Sequence, residues 1–252
     1  MRTIAVMNQK GGVGKTTTTL NLAHALAMAG QRVTALDMDP QAHLTVSFGV
    51  VDRKARGMDR VLLDGTALTE VEQGVRDGLG LVPAGVKLGE LEHLSKGGAK
   101  RGWLLRNAVA AMAAERDFLL VDCPPSSGML AMNAMLAVQE LLIPVSADYL
   151  ALHGLSRLMG IIKHVEKALK LDMEKWLVLT RFDERRRLAW DVRSTLLKYF
   201  PGRVLATVVR ESEELSVSPS FGKSVFEYQA HGRGADDYRS LAEDLIQGRS
   251  LQ

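Results

Sequence analysis

Two hydrophobic patterns alternate along almost the whole chain. Continuously apolar runs of six to eight residues predict buried strands, and the segments between them repeat apolar residues with a period near 3.6, which predicts helices. The predicted strands are 3–8, 32–38, 79–84, 117–123, 140–146, 175–182 and 203–209. The predicted helices are 15–30, 101–116 and 152–170. Strands that are apolar on both faces, with helices between them, predict an α/β fold built on a doubly wound, mainly parallel sheet.

The pattern weakens only once, over residues 50–75, where we predict short helices and loops above the sheet. Internal repeats, low-complexity tracts and Pro/Gly/Ser-rich linkers are absent from the sequence, so residues 1–252 are expected to form a single domain. Because the first strand starts at the beginning of the chain, we expect no N-terminal helix-turn-helix extension and no sequence-specific DNA binding.

Composition excludes several classes of protein. A hydrophobic content of 46% with 24% charged residues is typical of a folded soluble protein. The sequence has no signal peptide and no apolar run long enough to span a membrane, which predicts a cytoplasmic protein without a membrane partner. The single cysteine, Cys123, excludes an intramolecular disulfide and any all-cysteine metal site within one chain.

The glycine-rich segment "NQKGGVGKTTTT", residues 8–19, follows the first predicted strand and begins the first helix. Glycines in this position let backbone N–H groups approach phosphate oxygens, and a helix N-terminus favours an anion. Lys15 would reach the β- and γ-phosphates, and the Thr16 hydroxyl would bind Mg²⁺. The usual phosphate-loop pattern is not met literally, because Gln9 stands where its first glycine belongs. The segment also carries an additional lysine, Lys10. The alternative interpretation of residues 8–19 is a glycine-rich turn at a helix start.

Carboxylates follow two other predicted strands. Asp122 ends the run 117–123, where a Mg-nucleotide site needs an acidic residue to hold the metal and its water shell. Asp37 and Asp39 lie at the end of the second strand, at the sheet edge where ligands of open α/β sheets bind. A carboxylate there could orient the water that attacks the γ-phosphate, although two carboxylates in a solvated turn are the alternative.

Together the motifs "KGGVGKTTT", "LDMDPQ" and "LLVDCPPS" resemble those of the ParA/MinD family of deviant Walker-type ATPases. The segment 219–246, "PSFGKSVFEYQAHGRGADDYRSLAEDLI", is similar to the closing segment of the shorter, Soj-like ParA proteins. The resemblance spans nearly the whole chain and implies a P-loop NTPase fold with ATP and Mg²⁺ as cofactors.

The resemblance also assigns roles to residues. It implies that Lys10 reaches the nucleotide of the other subunit in an ATP-sandwich homodimer, while Lys15 serves the nucleotide of its own subunit. It implies that Asp39 positions the attacking water, that Thr16 and Asp122 serve Mg²⁺, and that Asp37 supports this metal site. The loop residues expected to contact the nucleotide are Lys10, Gly11, Gly12, Val13, Gly14, Lys15, Thr16 and Thr17.

Nonspecific DNA is the macromolecular ligand that the resemblance implies for the ATP-bound dimer, with a nucleoid-associated location. A ParB-like protein or cargo adaptor would stimulate slow hydrolysis. Between residues 181 and 203 there are seven basic and three acidic residues, which suits phosphate contacts. The residues predicted to bind DNA are Arg185, Arg186, Arg187, Arg193 and Lys198.

One loop departs from the family pattern. Many relatives carry "PRN" and a basic residue shortly before "PSFGK", whereas this chain has Arg210 followed by Glu211, Glu213 and Glu214. Carboxylates in this loop would repel a phosphate backbone, which favours the arginines at 185–187 as the DNA contacts. The same change could alter contacts on the adenine side of the nucleotide.

Three other functions fit the sequence less well. A MinD-like membrane-associated positioning ATPase would need a basic amphipathic C-terminal helix, whereas the tail 236–252 is acidic in its helical part. A nitrogenase-reductase-like protein would need two cysteines per subunit for its cluster. A metabolic P-loop enzyme would need an acceptor site, for which the sequence offers no positive feature.

Overall fold

The strands of the molecule form one sheet. The computed structural model describes residues 1–52, 56–93, 98–112, 116–149 and 151–251. The seven strands are β1 (Arg2–Val6), β2 (Val33–Asp37), β3 (Gln73–Arg76), β4 (Leu79–Val82), β5 (Phe118–Asp122), β6 (Glu140–Ser146) and β7 (Glu174–Thr180). Their order is β3-β4-β2-β5-β1-β6-β7, and every neighbouring pair is parallel except β3–β4. The predicted doubly wound, mainly parallel sheet is confirmed.

Helices cover both faces of the sheet, and each face has its own hydrophobic cluster. Ile4 and Val6 of β1 belong to one cluster and Ala5 to the other, as alternation along a strand requires. The helices that contribute to the Ile4 cluster are α1 (Lys15–Met28), α2 (His43–Ser47), α10 (Glu213–Val217), α11 (Val225–Tyr228) and α12 (Arg233–Gln247). Those that contribute to the Ala5 cluster are α3 (Met58–Asp64), α4 (Leu68–Val71), α5 (Glu90–His93), α6 (Leu104–Ala110), α7 (Met129–Ala137), α8 (Ala151–Leu169) and α9 (Arg187–Tyr199).

The strand β3 was not predicted from the sequence. Residues 50–75 do contain the short helices α3 and α4, as expected, and 53–55 lie outside the described residues. The segment then enters an antiparallel hairpin with β4 through a two-residue turn, Asp77–Gly78, with Gly78 at φ 68°. Asp-Gly is a strong hairpin signal. It was missed because β3 is a polar, mostly half-buried edge strand with no apolar run.

The predicted strand 203–209 is wrong. This segment runs beside β7, with Val204 in a single parallel bridge to Leu177, but it forms no continuous ladder. Thr207 N–H instead donates to the Asp244 carboxylate at 2.6 Å, and the Ala206 N–H meets the Arg249 carbonyl oxygen. Because other groups take these backbone donors, the apolar run lies along the sheet edge without becoming its eighth strand.

The agreement between predicted and observed bounds differs among the remaining helices. The helix predicted at 101–116 is shorter, since a 3₁₀ segment (Gly98–Trp103) precedes α6 and 113–115 lie outside the described residues. Helix α8 closely matches its prediction over 152–170. Helix α7 is buried over most of its circumference, so its sequence has no polar face to produce a period.

No helix in the described segments is both long and apolar enough to cross a bilayer.

Candidate nucleotide site

The loop between β1 and α1 has the backbone conformation of a phosphate cradle. Gly12 and Gly14 adopt the left-handed region, with φ values of 73° and 85°, which side chains disfavour. Gly14 precedes α1, and no side-chain hydrogen bond caps that helix. The first amide groups of α1 and the positive end of its dipole are therefore not engaged by a side-chain cap and are suited to bind an anion. The Val13 carbonyl oxygen accepts a hydrogen bond from Thr180 at 2.9 Å, which fixes the loop to the end of β7.

Lys15 lies at the bottom of this cradle. Its side chain is mostly buried, and its Nζ donates to the Lys10 carbonyl oxygen at 3.2 Å. Burial lowers the pKa of Lys15, while the nearby Asp122 carboxylate opposes that change. A desolvated ammonium group next to free backbone donors is suited to bind phosphate oxygens.

A hydroxyl and a carboxylate meet beside Lys15. Thr16 Oγ1 donates to Asp122 Oδ2 at 2.7 Å, and Thr19 Oγ1 lies 3.1 Å from the other carboxylate oxygen. Asp122 is fully buried, and burial together with the Asp37 charge raises its pKa to about 8. A cation bound next to this buried carboxylate would stabilise its ionised form. Thr19 was not singled out from the sequence, since only the fold shows that one turn of α1 places it against β5.

This donor set fits Mg²⁺. Magnesium usually retains several waters and takes one or two protein oxygens in addition to the phosphates of a nucleotide. Among the described residues there is no cluster of three or more His, Cys, Asp or Glu side chains able to hold a metal without such help. Thr16 and Asp122 are thus positioned to hold Mg²⁺ together with a bound nucleotide.

Asp37 and Asp39 have different surroundings although they are two residues apart. Both oxygens of Asp37 are engaged: Oδ2 accepts from Thr45 N and Oγ1 at 2.8 and 2.7 Å, and Oδ1 accepts from Asp39 N at 3.1 Å. Burial raises the pKa of Asp37 to about 6. The contacts of Asp37 therefore hold the turn that carries Asp39. Thr45, on α2, was not identified from the sequence.

Asp39 faces the same sheet edge as the metal-site residues. Strands β2 and β5 are neighbours, with Asp37 opposite Asp122 in register, so the turn after β2 lies next to the end of β5. The Asp39 side chain is 8% exposed and accepts from Gln41 N at 3.0 Å through one oxygen. This location is compatible with a carboxylate that orients a water near the γ-phosphate.

The ammonium group of Lys10 pairs with an acidic residue. Its Nζ lies 2.5 and 2.6 Å from the two carboxylate oxygens of Asp148, just beyond the end of β6. Ser146 Oγ donates to the same carboxylate at 2.7 Å. The pair is partly exposed, with 29% of the Lys10 side chain and 46% of the Asp148 side chain accessible. Asp148 was missed by sequence reasoning, although an acidic residue directly after a buried strand is the same signal that identified Asp122.

The predicted DNA-binding residues lie together on and before α9. Arg185, Arg186 and Arg187 are exposed where the helix begins. Asp183 accepts from Arg185 at 2.9 Å and pairs with Arg186 at 3.2 Å, and these arginines hold the pKa of Asp183 at about 2. Part of the cluster's charge is therefore neutralised locally.

Two further cations of α9 lie over aromatic rings. The Arg193 guanidinium is 5.6 Å from the centre of Trp190, and Lys198 Nζ is 5.9 Å from the centre of Tyr199. Both rings are substantially exposed. Cations combined with exposed aromatic rings are common on surfaces that bind nucleic acids.

The acidic loop that departs from the family pattern is engaged with its own subunit. Arg210 forms hydrogen bonds to both oxygens of Asp237, the shortest 2.6 Å, and Glu211 pairs with Arg181 at 3.0 Å. Glu214 accepts from Gly234 N at 3.3 Å. Arg210 is therefore occupied within the fold, and the DNA interface predicted on α9 does not include it.

Comparison with known proteins gives the family. A sequence model described as "AAA domain" matches residues 1–175. The sporulation initiation inhibitor protein Soj of Bacillus subtilis is 36% identical over 96% of this chain and 97% of its own length. The chromosome-partitioning ATPase Soj of Thermus thermophilus is 38% identical over 98% of this chain and 96% of its own. The chain belongs to the ParA/MinD family of P-loop ATPases.

A solved structure has a similar fold. A Mycobacterium smegmatis protein described as cobyrinic acid a,c-diamide synthase, with bound ADP and magnesium, has a TM-score of 0.84 and 27% identity. The similarity covers 100% of this chain and 99% of that one. The α/β fold deduced from the hydrophobic pattern and the observed sheet therefore matches that of a nucleotide- and magnesium-containing relative.

Proposed function

We propose that this protein is a single-domain, ParA-like ATPase that binds ATP and Mg²⁺, forms an ATP-sandwich homodimer and binds DNA without sequence preference. Hydrolysis, stimulated by a ParB-like protein or a cargo adaptor, would release the dimer from DNA and so distribute DNA or another intracellular cargo. We infer a cytoplasmic, nucleoid-associated location. The chromosome-partitioning role in the name of the Thermus thermophilus relative supports this proposal.

The position of Lys10 carries the proposal. A P-loop ATPase that works as a monomer needs one loop lysine, and Lys15 already lies in the cradle. The ammonium group of Lys10 is partly exposed beside the loop and paired with a partly exposed carboxylate. From there it is available to a nucleotide bound by a second subunit. A positive charge delivered in this way would make ATP binding and dimerisation one linked event.

Within each subunit, the residues at the sheet edge would have separate roles in ATP binding and hydrolysis. The cradle and Lys15 would bind the phosphates, and Thr16 and Asp122 would hold Mg²⁺, which neutralises phosphate charge during hydrolysis. Asp39 would hold the attacking water, and the contacts of Asp37 with Thr45 would keep Asp39 in place. Lys10 of the neighbouring subunit would stabilise negative charge that develops on the phosphates.

The DNA surface can be tested separately from the ATPase. In the R185Q/R186Q/R187Q variant, we expect much weaker binding to duplex DNA in the presence of ATP and Mg²⁺, because phosphate contacts dominate nonspecific affinity. ATP-dependent dimerisation should be unchanged, since these side chains lie outside the cradle. The R60Q/R106Q/R239Q variant removes three exposed arginines from other elements and controls for net charge. Equal DNA affinity of the two variants would exclude 185–187 as the interface.

A further inference from the structure

The exposed face of α8 is strongly basic. Its buried side contributes Leu155, Leu158, Ile162 and Val165 to the core. Its outer side carries three exposed cations, Arg157, Lys163 and Lys167, spaced so that they follow one side of the helix, and a fourth exposed cation, Lys170, follows the last helical residue. The exposed His153 and His164 lie on the same side and add further N–H donors.

These cations are not neutralised by their surroundings. The acidic residue within α8, Glu166, pairs instead with Lys175 and accepts a hydrogen bond from Met173 N at 3.0 Å. Within the described residues, none of the four cations is within 4.0 Å of a carboxylate oxygen. The arginines before α9, in contrast, share Asp183. The outer side of α8, together with Lys170, therefore carries unpaired positive charge comparable to that of the predicted DNA-binding residues.

A purely structural role accounts for only part of this pattern. Lysines in the last turn of a helix complement its dipole, which explains Lys167 and the adjacent Lys170. The dipole effect falls off within one turn, so it does not explain Arg157 or Lys163, which lie further towards the N-terminus. The basic character of the outer face therefore extends beyond what the stability of the helix requires.

Helices α8 and α9 lie in one layer. Leu158 and Ile162 of α8 and Val192 and Leu196 of α9 belong to the same hydrophobic cluster, so both helices cover one side of the sheet. The basic stretch from His153 in α8 to Lys170, just beyond its end, is about 26 Å long at about 1.5 Å per residue. That length corresponds to about eight base pairs of duplex DNA at about 3.4 Å each. The cations of α8 and α9 therefore lie on the same side of the sheet, and α8 alone is long enough to follow several phosphates of a duplex.

We propose that the outer face of α8 is a second DNA-binding surface, which contacts the phosphodiester backbone alongside the surface on α9. The inference rests on the proposed function, because it concerns the same DNA-bound state. DNA is favoured over an anionic membrane because the large hydrophobic residues exposed on the described chain include just one from α8, Leu169 at 40%. An interfacial membrane helix needs a broad apolar face on the side that meets the lipid.

The test compares DNA binding by the wild-type protein and by the R157Q/K163Q/K167Q variant, with ATP and Mg²⁺ present. Glutamine has a helix propensity similar to that of lysine and arginine, so α8 should be retained. Each lost phosphate contact should reduce the slope of log K against log salt by about 0.9, so three contacts correspond to a decrease of about 2 to 3. The R60Q/R106Q/R239Q variant is the matched control for lost charge.

The expected result is a smaller salt slope and at least about tenfold weaker DNA binding for the α8 variant, with unchanged ATP-dependent dimerisation. A slope equal to that of the control would refute the α8 surface while leaving the proposed function intact. A wild-type protein that dimerises with ATP but does not retain duplex DNA would contradict both. Binding to vesicles of anionic phospholipid, lost in the α8 variant, without DNA binding would overturn the choice of DNA.

Discussion

The ion pair between Lys10 and Asp148 should restrain dimerisation, and Asp148→Asn should relieve that restraint. In the structure the Lys10 ammonium contacts both carboxylate oxygens of Asp148. A lysine that reaches the nucleotide of another subunit must leave this carboxylate. Asparagine keeps an oxygen that can accept from Ser146 but removes the negative charge. We therefore expect the variant to form the ATP-bound dimer more readily than the wild-type protein.

The size of the effect follows from the exposure of the pair. Both side chains are partly accessible, and ion pairs of this kind contribute up to about 1 kcal/mol. Formation of a symmetric dimer releases two such pairs, so the dimer should gain about 0.4 to 2 kcal/mol. Since about 1.4 kcal/mol corresponds to a factor of ten, the dissociation constant of the dimer should fall by about twofold to about thirtyfold.

Sedimentation equilibrium with ATP and Mg²⁺ measures this constant directly. The Asp39→Ala background should prevent hydrolysis during the run, which allows the two versions of Asp148 to be compared in one nucleotide state. Lys10→Ala serves as the control, because Asp148→Asn should give no further gain once the lysine is absent. An unchanged or weaker dimer in the Asp148→Asn variant would show that the ion pair does not hold Lys10 back.

Two further predictions concern Thr45, which contacts the end of β2, and the pH dependence of stability. Thr45→Val removes a hydroxyl that donates to Asp37 at 2.7 Å, so the free energy of unfolding by urea should fall by about 2 kcal/mol. ATP turnover should decrease more than ATP affinity, and a variant with normal turnover would remove Thr45 from its positioning role. Burial lowers the pKa of His24 from its ordinary 6.5, although Glu227 opposes the shift. The unfolded state therefore binds the proton more readily than the folded state. The free energy of unfolding should accordingly fall as the pH drops below about 6.5. His24→Gln should flatten the urea midpoints between about pH 7 and about pH 5, and an unchanged slope would contradict this assignment.

The sequence predicted the parallel core of the fold because buried parallel strands produce continuous apolar runs. The edges were less predictable. β3 is polar, and 203–209 is apolar without being a strand, because burial along a sheet edge does not require ladder hydrogen bonds. Both errors arise where the hydrophobicity of a segment does not correspond to its backbone hydrogen bonding with a neighbouring strand.

In the nucleotide site, residues with a local motif were identified and those that depend on tertiary contacts were missed. Lys15, Thr16 and Asp122 follow from spacing and strand order. Thr45 and Asp148 act through partners 8 and 138 residues away along the chain, and although Asp148 follows a buried strand, a single sequence does not show which residues the two contact. The charge of α8 was likewise visible in the sequence, but its significance depended on the pairing of Glu166 with Lys175.

The central claim is that Lys10 makes ATP binding and dimerisation a single event. The most direct test is the molar mass of the Asp39→Ala protein in solution, with and without Lys10→Ala, at saturating ATP and Mg²⁺. We predict twice the 27.5 kDa chain mass with Lys10 present, and the mass of one chain, still with ATP bound, when it is replaced by alanine. A Lys10→Ala protein that remains a dimer with ATP, or an intact protein that stays monomeric while saturated with ATP, would contradict the account.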